Sequence, residues 1–86
     1  MNKIFSDAAW EDYCYWMEND RRFIRKINEL LRDIERNGNE GIGKPEPLKF
    51  DLEGFWSRRI NEEHRLIYSI ENDSIYIAKC RKHYAS

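Results

Sequence analysis

The hydrophobic positions of this 86-residue chain change their period once, near the middle. After a short apolar run, "KIF", Ser6 is suited to cap a helix. Trp10, Tyr13, Cys14 and Met17 then fall at i, i+3, i+4 and i+7, which is one face of a helix. "END" interrupts the pattern, and Asn19 or Asp20 can cap a second helix. There Phe23, Ile24, Ile27, Leu30, Leu31 and Ile34 recur with helical spacing as far as "RNG", where Asn37-Gly38 supplies a left-handed stop. Two amphipathic helices joined so closely predict an antiparallel hairpin.

The segment "GNEGIGKPEPLKFDLEG" follows, and its glycines and two prolines exclude a helix or central strand over most of it. A loop of this length in a small domain is usually functional or disordered. Beyond it the period becomes two. "FWSRRI", "HRLIYSI" and "SIYIAKC" read as strands, with "NEE" linking the first pair and "ENDS" a hairpin turn between the last two. The order strand, helix, helix, strand, strand, strand predicts an α+β domain spanning residues 1–86, with the helical hairpin on one face of an antiparallel sheet.

Alternation assigns the faces. Leu66, Tyr68 and Ile70 suit the helix-covered core, which leaves Arg65, Ile67 and Ser69 on the open face. Trp56 and Ile60 are expected to point inward, with Arg58 snorkelling at the edge and Arg59 on the open face beside Arg65. Lys79, Arg81 and His83 alternate together and are expected to line that same face. The end of the chain would then be tied down by strand pairing.

Composition narrows the class. Aromatic residues make up 14% of the chain, enough for a compact core in so short a domain. No stretch approaches the ~20 apolar residues that span a bilayer, and "MNKIFSDAAWEDY" has no apolar signal-peptide region. Cys14 and Cys80 have neither CxxC spacing nor metal-ligand company, so both are expected to remain reduced, in the cytoplasm, as small apolar packing residues. The net charge of −1 excludes an indiscriminate nucleic-acid binder held by bulk charge. A local basic patch stays open, because bases cluster at Arg58-Arg59, Arg65 and "KCRK".

Arg59, Arg65, Arg81 and His83 on one face would combine a phosphate-binding arginine cluster with a proton-transfer group. A base would have to come from elsewhere, and Glu46 in "KPEPLK" is a candidate. Prolines stiffen its backbone, and Lys44 and Lys49 flank it. The competing reading is a solvated turn carboxylate plus strand-end bases that keep a sheet edge soluble. Elsewhere the structural readings lead. His64 is expected to hydrogen-bond within the fold, Arg58 to form a salt bridge, and Trp10 and Trp16 to pack the core or the helical hairpin. Arg21-Arg22 is expected to be a solvated helix start. Tyr84 could stack on a base or simply pack the terminus.

"GKPEPLK", "GFWSRRI", "EEHRLIY" and "CRKHY" closely resemble the YoeB toxins of bacterial toxin–antitoxin modules, within the larger RelE-like group, and the resemblance runs from "KIF" to Tyr84. It implies a compact RelE-like α+β fold and a ribosome-dependent mRNA endoribonuclease cutting at A-site codons. It implies a YefM-like antitoxin partner, a tendency to dimerise, and contact with operator DNA through the antitoxin. By residue, it implies a general base at Glu46, a phosphate-stabilising arginine at Arg65 and a general acid at His83. It adds RNA contacts from Lys49, Arg59 and Tyr84, and implies neither metal nor cofactor. Many relatives carry His where Phe50 stands here. Two other functions compete: a non-catalytic corepressor acting through antitoxin and DNA, and a nuclease that cuts free RNA unaided.

Overall fold

The computed structural model describes residues 1–83. Strand β1 (Asn2–Phe5) leads into helix α1 (Asp7–Asn19) and helix α2 (Arg21–Asn37), and four strands follow: β2 (Glu46–Pro47), β3 (Trp56–Arg59), β4 (Arg65–Glu71) and β5 (Ser74–Lys79). Both helix starts are capped as the sequence predicts. The Ser6 hydroxyl accepts from the Ala9 N–H, and the Asp20 carboxylate accepts from the Arg22 N–H. Gly38 ends α2 at φ 64°, donating its N–H to the Ile34 carbonyl.

The sheet order is β1-β5-β4-β3-β2. The pairs β2–β3, β3–β4 and β4–β5 are antiparallel, whereas β1 lies parallel to β5, so the sheet is mixed rather than purely antiparallel. The glycine- and proline-rich segment contributes β2, a two-residue edge strand, and a 3-10 turn at Phe50–Leu52. Pro47 is tolerated there because an edge strand needs no second row of donors. The β4–β5 turn places Asn72 and Asp73 at φ 49° and 59°, the left-handed pair a tight hairpin requires.

The helices cover one face. Ile27, Leu30, Leu31 and Ile34 of α2 meet Leu66, Tyr68, Ile75 and Ile77 of the sheet, with Trp56 and Ile70 partly buried against them. Burying each such side chain stabilises the fold by about 1.5–3 kcal/mol relative to exposure. Helix α1 buries Ala9 and Trp16, while Trp10 is half exposed and stacks on Tyr13 beside Phe5. Trp16 therefore packs the core as expected, and Trp10 packs a rim.

Arg58 departs from its expected place. It does not snorkel: its side chain is fully buried. Its guanidinium reaches Asp33 at 2.5 Å and donates to the carbonyls of Gly38, Glu40 and Ile42 at 2.6, 2.8 and 3.0 Å, and to the Tyr68 hydroxyl at 3.1 Å. That hydroxyl donates onward to Asn39. Arg58 is thus a salt-bridge residue, and it also staples the 38–42 segment to the sheet. Among the described residues, no helix is long and apolar enough to cross a membrane.

Candidate active site

Two rows of paired residues build the open face. Glu46 pairs with Ser57, and Ser57 with Ile67. One step along, Arg59 pairs with Arg65. Directly paired side chains lie on the same side of a sheet, as do residues two apart on one strand. All five therefore face away from the helices. Ser57 and Ile67 are buried there and form a floor. A cleft of about 360 Å³ opens above it, lined by Lys44, Pro45, Glu46, Pro47, Ser57, Arg59, Arg65 and His83.

Its walls have separate causes. Glu46 stands on β2 between two prolines, so its backbone has little freedom. The Arg59 N–H donates to the Gly43 carbonyl at 2.7 Å, which fixes the approach to β2. Gly43 has φ 80°, and a Cβ there would stand 2.9 Å from the Leu30 side chain, so the close passage needs glycine. One guanidinium nitrogen of Arg65 donates to the carbonyls of Asn61, Glu62 and His64 at 2.9, 3.0 and 3.2 Å, which holds the side chain against the β3–β4 turn. Three cations, Lys44, Arg59 and Arg65, thus surround a single carboxylate.

His83 reaches the cleft by a route that alternation does not describe. Between β4 and β5 the register shifts: Tyr68 pairs with Ile77, but Ile67 pairs with Lys79. Ala78 is the extra residue of a bulge, which turns Lys79 to the open face opposite Ile67. Strand β5 ends at Lys79, and Cys80 is buried in the core. Arg81 turns to the other side, its guanidinium 3.6 Å from the Tyr15 ring centre. It is absent from the cleft lining, contrary to the expectation that Lys79, Arg81 and His83 share one face. Lys82, at φ 64°, then swings the chain back and delivers His83.

Strand pairing does not hold residues 80–83, the described residues after β5. The Cys80 N–H donates to Asp12, the Trp16 indole donates to the Cys80 carbonyl, and the Lys82 N–H donates to His64. One backbone bond, from the Arg65 N–H to the Lys82 carbonyl, completes the set. His64 has the structural hydrogen-bonding place the sequence suggests. Burial, with the Asp12 carboxylate adding to it, pushes the Cys80 thiol up to about 12, so this cysteine is an inert packing group. Neither cysteine is in a disulfide.

Of the residues singled out from sequence, the cleft unites Glu46, Arg59, Arg65 and His83. Lys49 is exposed and is not among the lining residues, and Tyr84 lies outside the described residues. Ser57 was missed; its alternation with Arg59 was the available signal.

Two helices on one face of a mixed sheet, with a basic cleft holding one carboxylate on the other, define a RelE-like α+β toxin domain. The model of the YoeB-like toxin of bacterial type II toxin-antitoxin systems matches residues 5–84, and the chain belongs to that family. It is 58% identical over 84 residues to the toxin YoeB of Escherichia coli, covering 98% of this chain and 100% of that one. Two Staphylococcus aureus structures, a heterotetrameric YoeB-YefM toxin-antitoxin complex and a YoeB dimer, each match with TM-score 0.92 and 55% identity over 98% of both chains.

Proposed function

We propose that this chain is a ribosome-dependent mRNA endoribonuclease that arrests translation until a YefM-like antitoxin neutralises it. The convergence of Glu46, Arg59, Arg65 and His83 on one cleft carries the reading. Glu46 removes the proton from a ribose 2′-OH. The oxygen attacks the adjacent phosphorus, and Arg65, with Arg59 and Lys49, stabilises charge building on the phosphoryl oxygens. His83 protonates the departing 5′-oxygen. The products are a 2′,3′-cyclic phosphate, opened later to a 3′-phosphate, and a 5′-OH end. Dependence on the 2′-OH restricts the reaction to RNA. Tyr84 adds an RNA contact.

The cleft is open and has few groups to orient a flexible strand. Positioning supplies about 7–11 kcal/mol of a barrier, and the ribosome provides it by gripping the mRNA in its A site. The toxin's partners are then the ribosome and mRNA, a second copy of itself, and an antitoxin through which it reaches operator DNA as a corepressor. The Staphylococcus aureus complex and dimer support the antitoxin and the second copy. The chain acts as one domain in the cytoplasm.

Expression without an antitoxin tests the reading. The parent chain should arrest growth, and Glu46→Gln, Arg65→Ala and His83→Gln should each abolish arrest while melting cooperatively. Purified toxin should cut mRNA on ribosomes and leave naked mRNA intact. Arrest by a folded Glu46→Gln or His83→Gln variant removes that residue from the mechanism, and equal rates on naked RNA favour an unaided nuclease.

A further inference from the structure

We propose that His64 is a positioning residue for His83, acting as a neutral acceptor that latches the turn on which His83 is carried. The inference rests on the reading of His83 as the general acid. Lys82 is the last residue before His83, and its φ of 64° is one that a lysine holds only when its surroundings impose it. Two consecutive residues impose it. The Lys82 N–H donates to Nδ1 of His64 at 2.7 Å, and the Lys82 carbonyl accepts from the Arg65 N–H at 3.1 Å. The peptide is thereby gripped at both its polar groups.

The imidazole that does this is itself held. Its edge meets Trp16 of α1 at 4.8 Å between ring centres and Phe23 of α2 at 5.4 Å, at angles of 81° and 86°. Trp16 and Phe23 stack on each other at 3.8 Å. Those two rings fix the plane of His64, and the bond to Lys82 fixes its tautomer. An accepting Nδ1 puts the ring proton on Nε2, which lies 3.7 Å from a carboxylate oxygen of Glu63. The unit "HR" at 64–65 therefore does two things at once. The Arg65 side chain stands in the cleft, while its backbone and its neighbour's ring hold the chain that delivers the imidazole opposite.

The test is single-turnover cleavage of ribosome-bound mRNA by His64→Phe, which keeps an aromatic ring but has no acceptor, and by His64→Asn, whose side-chain oxygen stands where Nδ1 did. Displacing a reacting group by about 1 Å can cost on the order of 10²-fold. His64→Phe should slow the cleavage step by ~10–100-fold with little change in the half-saturating ribosome concentration. His64→Asn should recover most of that loss. In a His83→Gln background, His64→Phe should add no further loss. An additive loss there, or full activity of a folded His64→Phe, overturns the latch while leaving the functional reading in place. Full activity of His83→Gln overturns the functional reading, and the latch with it. Nitrogen-15 shifts of the His64 ring in the unmodified chain decide the matter even if the phenylalanine variant does not fold. A protonated Nε2 with coupling from Nδ1 to the Lys82 amide supports the latch, and an Nδ1–H tautomer overturns it.

Discussion

Replacing Arg58 by Met should be the most damaging single change that leaves the cleft's own side chains in place. The guanidinium is fully buried and donates to five partners: Asp33, three carbonyls of the 38–42 segment and the Tyr68 hydroxyl. Met fills much of the volume but supplies no donor. Removing one member of a buried ion pair costs about 3–5 kcal/mol. The carbonyls of Gly38, Glu40 and Ile42 belong to half-buried or exposed residues, so water replaces part of what they lose and the sum of five bonds is not reached. A chain of this length is stable by roughly 4–13 kcal/mol, at about 0.05–0.15 per residue. Arg58→Met should therefore consume a large share of the total. In a domain of this size each kcal/mol moves the melting point by about 4–8 °C, so a fall of ~15–30 °C is expected. Tyr68→Phe, which loses only the hydroxyl's two bonds to Arg58 and Asn39, should cost about 1 kcal/mol. Urea unfolding of both variants and of Arg58→Met/Asp33→Asn checks the scheme. The double variant should lose less than the sum of its parts, since the two side chains share one interaction. A folded Arg58→Met within ~1 kcal/mol of the parent would falsify the view that this residue staples the 38–42 segment.

The hydrogen bond from Arg58 holds the Asp33 carboxyl below its usual range, against desolvation that pushes it up. A depressed carboxylate stabilises above its unfolded value, about 3.9, and that contribution is lost as pH falls through the folded value. Asp33→Asn should therefore be less stable than the parent at pH 7, with the gap closing on acidification below about 4; a constant gap in melting temperature contradicts this. Phe50 is 90% exposed and sits at φ 57°, so it has little burial to lose and a conformation that suits asparagine better. Phe50→Asn should raise stability by ~0.5–1 kcal/mol, and a lower urea midpoint refutes the assignment of strain. In the native protein a maleimide should label half-buried Cys14 and spare Cys80 until denaturant is added; equal labelling rates refute the inert-thiol reading.

Local signals carried much of this fold. The change of period placed both α-helices and the long strands, Ser6 and the pair Asn19-Asp20 marked the helix starts, and "ENDS" marked the tight turn. Alternation, with Trp56 and Ile60 taken inward, put Arg59 on the open face beside Arg65, and the structure pairs the two there. What could not be read depends on distant partners. Arg58 is buried rather than edge-bound because Asp33, 25 residues away, neutralises it. The bulge at Ala78 has no sequence mark, yet it is what turns Lys79 to the open face opposite Ile67, and Arg81, beyond the end of β5, lies over Tyr15 instead of in the cleft. His83 arrives only because Lys82 takes a left-handed turn, a conformation set by His64 and Arg65 rather than by lysine's own preference. The parallel seat of β1 was also hidden, since hydrophobic pattern does not encode strand direction.

The central claim is that the cleft cuts RNA by attack of a 2′-OH. It is tested most directly with two mRNAs on programmed ribosomes, one all-ribose and one carrying a single 2′-deoxynucleotide on the 5′ side of the A-site scissile bond. The toxin should cut the first to a 2′,3′-cyclic phosphate and a 5′-OH end, and it should leave the second intact at that bond. Cleavage of both at similar rates, or products bearing a 5′-phosphate, would contradict the roles given to Glu46 and His83.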